Sequence, residues 1–240
     1  MKQRAHIQSG FTLIELAIVL FILGLLLGAI LPPLAAQIDQ KTREKTQAQL
    51  DEINEVLLGF MLNSNNVLSK NRLPCPDCTD TSGNCSGMTD NDGIEDILAG
   101  DNCATEVGNL PWVTLGVKGT DDWGQRFIYR VTNDFSDLDD GTGCTPNTLN
   151  VSFALCSDGD IDINDDAGNA VAQNVPALVL SRGKNYLEAG SAFEQENTDA
   201  DNIFVYMDFS SDAVNGYDDL MIWISPHILR TKMLNAGILP

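Results

Sequence analysis

The sequence predicts an α+β protein in which one long N-terminal helix packs on an antiparallel β-sheet with disulfide-bearing loops. Three observations predict this fold. An almost wholly apolar segment lies near the amino terminus, a helical amphipathic pattern follows it, and short strand-like runs separated by Gly, Asn and Asp fill the remainder. Helical periodicity is rare in the later part of the chain, which favours an antiparallel sheet over a parallel one.

The chain has 240 residues, enough for one sizeable domain and an appendage, and it is strongly acidic. It contains 14 Lys and Arg against 34 Asp and Glu, a net charge of −20. Basic residues outnumber acidic ones within residues 1–45, so the acidity belongs to the later part. Such a chain repels phosphate groups, which argues against a nucleic-acid partner. The acidic side chains form a solvated surface or, in part, a divalent-cation site.

Residues 1–10 form a short polar leader with two basic side chains, and residues 11–36 are predicted to be a transmembrane helix. At ~1.5 Å per residue the apolar run from 11 to 31 is ~30 Å long, which matches a bilayer core. Pro32 and Pro33 are expected to end or kink this helix. Two simpler interpretations are a secretory signal cut near residues 34–36 and a plain membrane anchor.

One carboxylate, Glu15, interrupts the apolar segment, and the simpler interpretations do not explain it. A carboxylate inside hydrocarbon costs roughly 2.5–3.5 kcal/mol, and such residues usually have a partner. No Lys, Arg or His lies within one helical turn of Glu15 on the apolar helix. Cleavage after Gly10 would create a new amine at Phe11, which could neutralise Glu15 in the same chain or in a neighbouring one.

The run GFTLIEL at residues 10–16 resembles the processing motif of type IV prepilins and type II secretion pseudopilins. The resemblance implies that a prepilin peptidase cuts after Gly10 and N-methylates the new amine of Phe11. It also implies that Glu15 pairs with the N-terminus of an adjacent subunit. The implied partners are therefore the peptidase, other pilin or pseudopilin subunits and an inner-membrane assembly platform.

The same resemblance implies a pilin-like fold and a location. The chain would cross the bacterial inner membrane once, with its globular part in the periplasm, before it enters a pilus or pseudopilus. A second, weaker resemblance to bacterial pilin- and pseudopilin-like proteins covers much of the later chain. The segments that carry it are residues 73–77, 91–96, 110–116, 122–129, 218–225 and 236–240.

Residues 37–65 are predicted to continue the helix as an amphipathic segment that lies on the folded domain. Apolar side chains recur there at helical spacing, at Leu50, Ile53, Leu57 and Met61. The globular domain is expected over residues 66–240. Its strand-like runs are residues 126–132, 149–155, 177–181, 203–209 and 220–224, and residues 226–236 are predicted to form a closing helix with Ser225 as its N-cap.

Six cysteines, all in the later part, point to disulfides formed in an oxidising compartment. Six cysteines allow many pairings, and position along the chain suggests three. Cys144 and Cys156 flank a turn and a strand-like run, Cys75 and Cys103 bracket an Asp-rich loop, and this leaves Cys78 with Cys85. A zinc site at the CxxC of residues 75–78 is the rival interpretation, but a second CxxC or a His pair is missing.

Two Asp-rich segments are candidates for calcium, the one cofactor that the sequence suggests. Residues 90–96 resemble an Asp-rich calcium loop and offer Asp90, Asp92 and Asp96, while a second segment offers Asp158, Asp160 and Asp162. The second segment lacks the Gly and Glu that an EF-hand requires. Some major pseudopilins bind calcium in a late loop, and the resemblance implies that Asp199, Asp201 and Asp212 could serve that role in this chain.

No catalytic motif is present, and the chain is expected not to be an enzyme. Its two histidines, His6 and His227, lie in the leader and on the predicted last helix, and a glycosidase with a pair of carboxylates is the enzyme class that the 34 acids leave open. The function expected is that of a structural subunit, a minor pilin or pseudopilin, assembled through its N-terminal helix. The alternative is a membrane-tethered periplasmic protein that binds calcium or another ligand and uses a pilin-type export signal.

Overall fold

A computed structural model describes residues 12–63, 70–80, 83–98, 102–137, 151–186, 190–199, 201–212 and 214–239. The chain divides into two compact units, residues 1–42 and residues 43–240. Helix α1, Leu13–Leu62, begins in the first unit and ends in the second. It runs through Pro32 and Pro33 without ending there, and residues 37–62 continue it as predicted.

In the first unit, the apolar side chains of α1 are exposed along its described length. Leu13 is 88% exposed and Phe21 is 68% exposed. No helix within the described residues is long and apolar enough to cross a membrane. The predicted span of residues 11–36 includes Phe11 and the side chains of residues 28–35, which lie outside the described set.

In the second unit, the remainder of α1 supplies one side of the main core. The four apolar residues predicted at helical spacing, Leu50, Ile53, Leu57 and Met61, are all at most 1% exposed. They belong to the same buried cluster as Tyr129. Each such side chain contributes about 1.5–3 kcal/mol through burial, so this face holds the helix on the domain.

The main sheet is antiparallel, as predicted, and has four strands in the order β1-β2-β5-β7. The strands are β1 (Val107–Asn109), β2 (Ile128–Val131), β5 (Ala177–Ser181) and β7 (Leu220–Trp223). Strand β5 is buried along its whole length because it is an inner strand that contacts both core clusters. Three of the predicted strand-like runs contain β2, β5 and β7.

A second sheet, with strands in the order β4-β3-β6, departs from the prediction. It contains β3 (Ile161–Asn164), β4 (Ala170–Val175) and β6 (Ile203–Val205). Strands β3 and β4 are antiparallel, but β3 and β6 are parallel. The long connection through β4, β5 and helix α3 (Ala192–Glu196) returns the chain in the same direction, which a short hairpin could not do.

Two further predictions need correction. Of the run 149–155, only Val151 makes a β-type contact, an isolated parallel bridge to Asn71, and residues 149 and 150 lie outside the described set. The closing helix is present as α4 (Pro226–Asn235), beyond the short helix α2 (Trp112–Leu115). Ser225 is the N-cap residue of α4, as predicted, but its side chain makes no capping hydrogen bond.

Candidate functional site

The amino end of α1 is capped by three reciprocal hydrogen bonds between Thr12 and Glu15. Glu15 Oε2 accepts from the Thr12 backbone N–H at 3.0 Å and from the Thr12 hydroxyl at 2.9 Å. The Glu15 N–H donates to Thr12 Oγ1 at 3.3 Å. This arrangement is a capping box, a device that sequence analysis missed although its Thr-x-x-Glu spacing is the usual signal.

Glu15 Oε1 receives no hydrogen bond from any described residue. Both bonds from Thr12 go to Oε2, so the second oxygen of the carboxylate remains an open acceptor. Gly10 and Phe11, the residues of the predicted cleavage point, lie outside the described set. The geometry therefore holds the carboxylate at the head of the helix and leaves one oxygen for a donor from elsewhere.

Exposed apolar side chains surround α1 over residues 13–27. Every large hydrophobic residue described there is between 48% and 88% exposed. A surface of this kind in water signals contact with lipid or with another protein chain.

Comparison with known families assigns this region. Residues 6–31 match the family described as the prokaryotic N-terminal methylation motif. The chain has a prepilin-type amino terminus. The match spans the predicted cleavage point, the capping box and the exposed apolar part of α1. No curated protein and no solved structure is significantly similar to the chain.

The matched motif implies export and membrane anchoring of the amino terminus. It also implies processing by a prepilin peptidase and assembly with other pilins. The match does not extend to residues 32–240.

Two predicted disulfides are present in the second unit, residues 43–240, which is the globular unit of the chain. Cys75 is joined to Cys103 and Cys78 to Cys85, with Cα–Cα distances of 5.2 and 6.1 Å. Cys156 is also disulfide-bonded. Cys144, its predicted partner, lies outside the described set. These bonds use the CxxC thiols of residues 75–78 and leave neither sulfur for zinc.

The two disulfides close loops of different length, and their removal should have different effects. They span 28 residues for Cys75–Cys103 and 7 for Cys78–Cys85. Because a longer loop loses more chain entropy on cross-linking, replacing Cys75 and Cys103 by Ala should cost about 3–4 kcal/mol, against about 2–3 for Cys78 and Cys85. Urea unfolding of both double variants measures this. Equal losses, or a larger loss for the shorter loop, would contradict the entropic account.

A buried ion pair lies beside the longer disulfide. Arg72 and Glu95 have side chains that are 0% and 6% exposed, and their closest N–O distance is 2.8 Å. Glu95 Oε2 also accepts from the Cys75 backbone N–H at 3.0 Å, while Arg72 Nη1 donates to the Leu73 carbonyl. The pair therefore attaches the segment after α1 to the Asp-rich loop.

The carboxylates predicted for calcium in residues 90–96 each accept a hydrogen bond from the protein. Asp92 Oδ1 accepts from the Ile94 N–H at 2.8 Å, and Asp96 Oδ2 accepts from the Cys78 N–H at 2.8 Å. Asp90 Oδ2 accepts from the Asn91 amide. The bonds to Asp90 and Asp92 lie within the loop, and the bond to Asp96 joins the loop to Cys78.

The second predicted set is also partnered. Asp158 pairs with Arg230 at 2.9 Å, and Asp160 pairs with Arg130 at 3.2 Å. Asp162 lies in β3 and accepts from the Asn174 N–H at 3.3 Å. Arg130 and Arg230 therefore supply to Asp160 and Asp158 the positive charge that a bound cation would otherwise provide.

A different set of carboxylates converges in the structure. Among the described residues, two groups of three acids bring one oxygen each within 4.8 Å of the others. One group is Glu196, Asp199 and Asp201, and the other is Glu194, Asp218 and Asp219. The first group contains Asp199 and Asp201, two of the acids suggested for a late-loop site, and neither group contains an acid of the two Asp-rich segments. The second group joins residues 24 positions apart, so no local spacing could have indicated it.

The carboxyl of Asp77, beside the Asp-rich loop, has a raised pKa. Its pKa is raised to about 6, chiefly by burial and also by the nearby Asp92 and Asp96, while the hydrogen bond from the Gly93 N–H opposes the rise. Since the folded-state pKa exceeds the unfolded value, the folded state binds the proton more tightly. The free energy of unfolding therefore falls as the pH rises from about 4 through 6.

Replacing Asp77 by Asn should remove this pH-dependent loss. Relative to wild type, the variant should gain on the order of 2 kcal/mol between pH 4 and pH 8, because the wild-type carboxyl must ionise in a buried site. Urea unfolding at the two pH values measures the difference, and Asp166→Asn at an exposed position serves as the control. A wild-type-to-variant difference that is the same at both pH values would refute the effect.

Proposed function

We propose that the chain is a structural subunit, a minor pilin or pseudopilin, of a type IV pilus or a type II secretion pseudopilus. It has no catalytic role and joins the filament through its N-terminal helix after the leader is removed. The observation that carries this proposal is the match of residues 6–31 to the methylation motif, with Glu15 at the head of an exposed apolar helix. The partners are a prepilin peptidase, other pilin or pseudopilin subunits and an inner-membrane platform.

The order of events follows from the chemistry of the helix. In the inner membrane, lipid covers the apolar side chains of α1, and the globular unit lies in the periplasm. When subunits stack, side chains such as Leu13 and Phe21 exchange lipid for the helices of neighbours. The open Oε1 of Glu15 then accepts the Phe11 amine of an adjacent subunit, so that a charge pair replaces an isolated charge in an apolar surrounding.

A second function is favoured by the carboxylate groups of the globular unit. In this alternative the chain is a membrane-tethered periplasmic protein that binds calcium or another ligand, and the pilin-type amino terminus serves only for export. Three buried or half-buried acids with oxygens within 4.8 Å of one another favour it.

Fractionation of cells separates the two functions. Surface filaments are sheared from cells, or pseudopili are induced by overproduction, and the chain is quantified in the filament and inner-membrane fractions. A structural subunit should appear in the filament fraction only when the prepilin peptidase is present. A chain that remains wholly in the inner membrane while filaments form would contradict the filament role and support the tethered binding protein.

A further inference from the structure

Two apolar side chains of the globular unit, Phe209 and Val214, are exposed at the end of the unit that carries Arg43. Val214 is 78% exposed, more than any other large hydrophobic residue described in this unit, and Phe209 is 56% exposed. The guanidinium of Arg43 lies over the Phe209 ring, 4.1 Å from its centroid. Since the globular unit begins at Arg43, Phe209 lies where α1 enters the unit.

The turn that carries Val214 is held by hydrogen bonds. The backbone groups of Ser210 and Tyr217 bond to each other in both directions, at 3.0 and 2.9 Å. Within the turn, Asp212 Oδ1 accepts from the backbone N–H groups of Val214 and Asn215, both at 2.8 Å. A fixed turn therefore presents an apolar side chain to its surroundings, next to an exposed aromatic ring. Exposed apolar groups that lie together in this way mark contact with lipid or with protein.

The membrane is within reach of this end of the globular unit. The matched motif implies a membrane anchor, and the span predicted from the sequence ends at residue 36. Arg43 lies seven residues beyond that point, and seven residues reach at most ~25 Å even when the chain is fully extended. Phe209 contacts Arg43, so it stays near the membrane surface.

The chemistry of this end fits a layer of phospholipid headgroups. Residues 37–45 carry three basic and two acidic side chains in a chain whose net charge is −20, and basic groups beside a membrane span attract lipid phosphates. Arg43 gives one of its five N–H donors to a described protein acceptor, the Asp218 carbonyl at 3.4 Å, and has others for a phosphate oxygen. Apolar side chains such as Phe enter the boundary between headgroups and acyl chains. Asp208 is exposed next to Phe209, so the contact is shallow and this carboxylate stays in water.

We propose that Phe209 and Val214 insert among the phospholipid headgroups beside the membrane anchor, with Arg43 bound to a lipid phosphate. The proposal rests on the proposed function, in which the subunit waits in the inner membrane, and it names the lipid surface as a partner of the globular unit. Docking restricts the orientations of this unit before assembly. Because the contact is shallow, the unit leaves the lipid when the subunit enters a filament.

Quenching of tryptophan fluorescence by brominated lipid tests the proposal. The full-length chain is reconstituted into vesicles of phosphatidylethanolamine and phosphatidylglycerol, with and without bromine on the acyl chains near the headgroups. Val214→Trp places a reporter in the turn. Val171→Trp is the matched control at an exposed position of β4, in the sheet that packs on the face of the main sheet opposite α1. After subtraction of the wild-type emission, the reporter at 214 should be quenched at least twofold more than the reporter at 171.

A third reporter separates failure of the docking from failure of the anchor. Leu20→Trp lies in the apolar part of α1 and should be quenched if α1 enters the bilayer. Quenching at 20 together with equal quenching at 214 and 171 would overturn the docking and leave the anchor in place. No quenching at 20 would remove the anchor and the docking together. A blue-shifted emission at 214 that bromine does not quench would mean that protein covers the turn, which also overturns the proposal.

A second pair of variants tests whether the apolar side chain drives the docking. Asn215→Trp keeps the backbone bond to Asp212 and should be quenched as strongly as Val214→Trp. Adding Val214→Asp to Asn215→Trp should lower this quenching at least twofold, whereas adding Val171→Asp should leave it unchanged. Equal quenching of Asn215→Trp with and without Val214→Asp would contradict insertion of the turn.

Discussion

Replacing Glu15 by Gln is expected to abolish entry of the chain into filaments while leaving leader cleavage and membrane insertion intact. Gln keeps an oxygen that can accept the Thr12 hydrogen bonds, so the capping box and the start of α1 should persist. What Gln removes is the negative charge that would attract the Phe11 amine of a neighbour. Immunoblots of sheared filaments and membranes from complemented cells measure the distribution.

Thr12→Val is the matched control for this change. It removes the hydroxyl that bonds to Glu15 in both directions, but it keeps the carboxylate charge. Loss of the cap should cost about 1 kcal/mol of helix stability and leave incorporation near the wild-type level. If Thr12→Val blocks assembly and Glu15→Gln does not, Glu15 acts as a helix cap and not as an assembly charge.

Replacing Glu95 by Gln is expected to destabilise the globular unit by about 3–5 kcal/mol. The change leaves the Arg72 guanidinium without its counter-charge in a fully buried position, and an uncompensated buried charge carries a penalty of this size. Arg72 cannot reach water, because its side chain is 0% exposed. Urea unfolding at neutral pH, with disulfides intact, measures the loss.

Asp158→Asn provides the comparison for Glu95→Gln. Asp158 also pairs with an arginine at 2.9 Å, but its side chain is 63% exposed. Solvent screens this pair, so the change should cost less than about 1 kcal/mol. A double variant with Arg72→Met and Glu95→Leu should recover much of the stability, since it removes both charges together. Similar losses for Glu95→Gln and Asp158→Asn would show that burial does not set the strength of the pair.

The helix and the main sheet could be predicted because their signals are local and periodic. Leu50 and Leu57 recur at helical spacing, and residues 177–181 form a continuous apolar run between turn residues. In the second sheet the predicted run 203–209 contains β6, whereas β3 and β4 lie outside every predicted run. Strand β3 alternates buried and half-buried residues over only four positions, and β4 is mostly exposed, so neither gives a long periodic signal.

Glu15 could also be recognised from the sequence because its signal is local, whereas the converging acids Glu194, Asp218 and Asp219 could not. Glu15 could be found from sequence because a carboxylate in an apolar run has no local partner, and the Gly10–Phe11 step lies just ahead of it. Asp219 could not be singled out among the 34 acids, since only the folded chain buries it and brings it close to Glu194. Asp158 and Asp160 had the more suggestive spacing, yet the fold gives them arginine partners.

The most direct test of the filament account is the chemical identity of the mature amino terminus. The chain is purified from membranes and from sheared filaments, and its N-terminal peptide is sequenced by tandem mass spectrometry. The account predicts a peptide that begins at Phe11 and carries a methyl group on its amine. A mature chain that begins at Gln37, or one that retains residues 1–10 within filaments, would contradict it, because Glu15 would then have no Phe11 amine to bind.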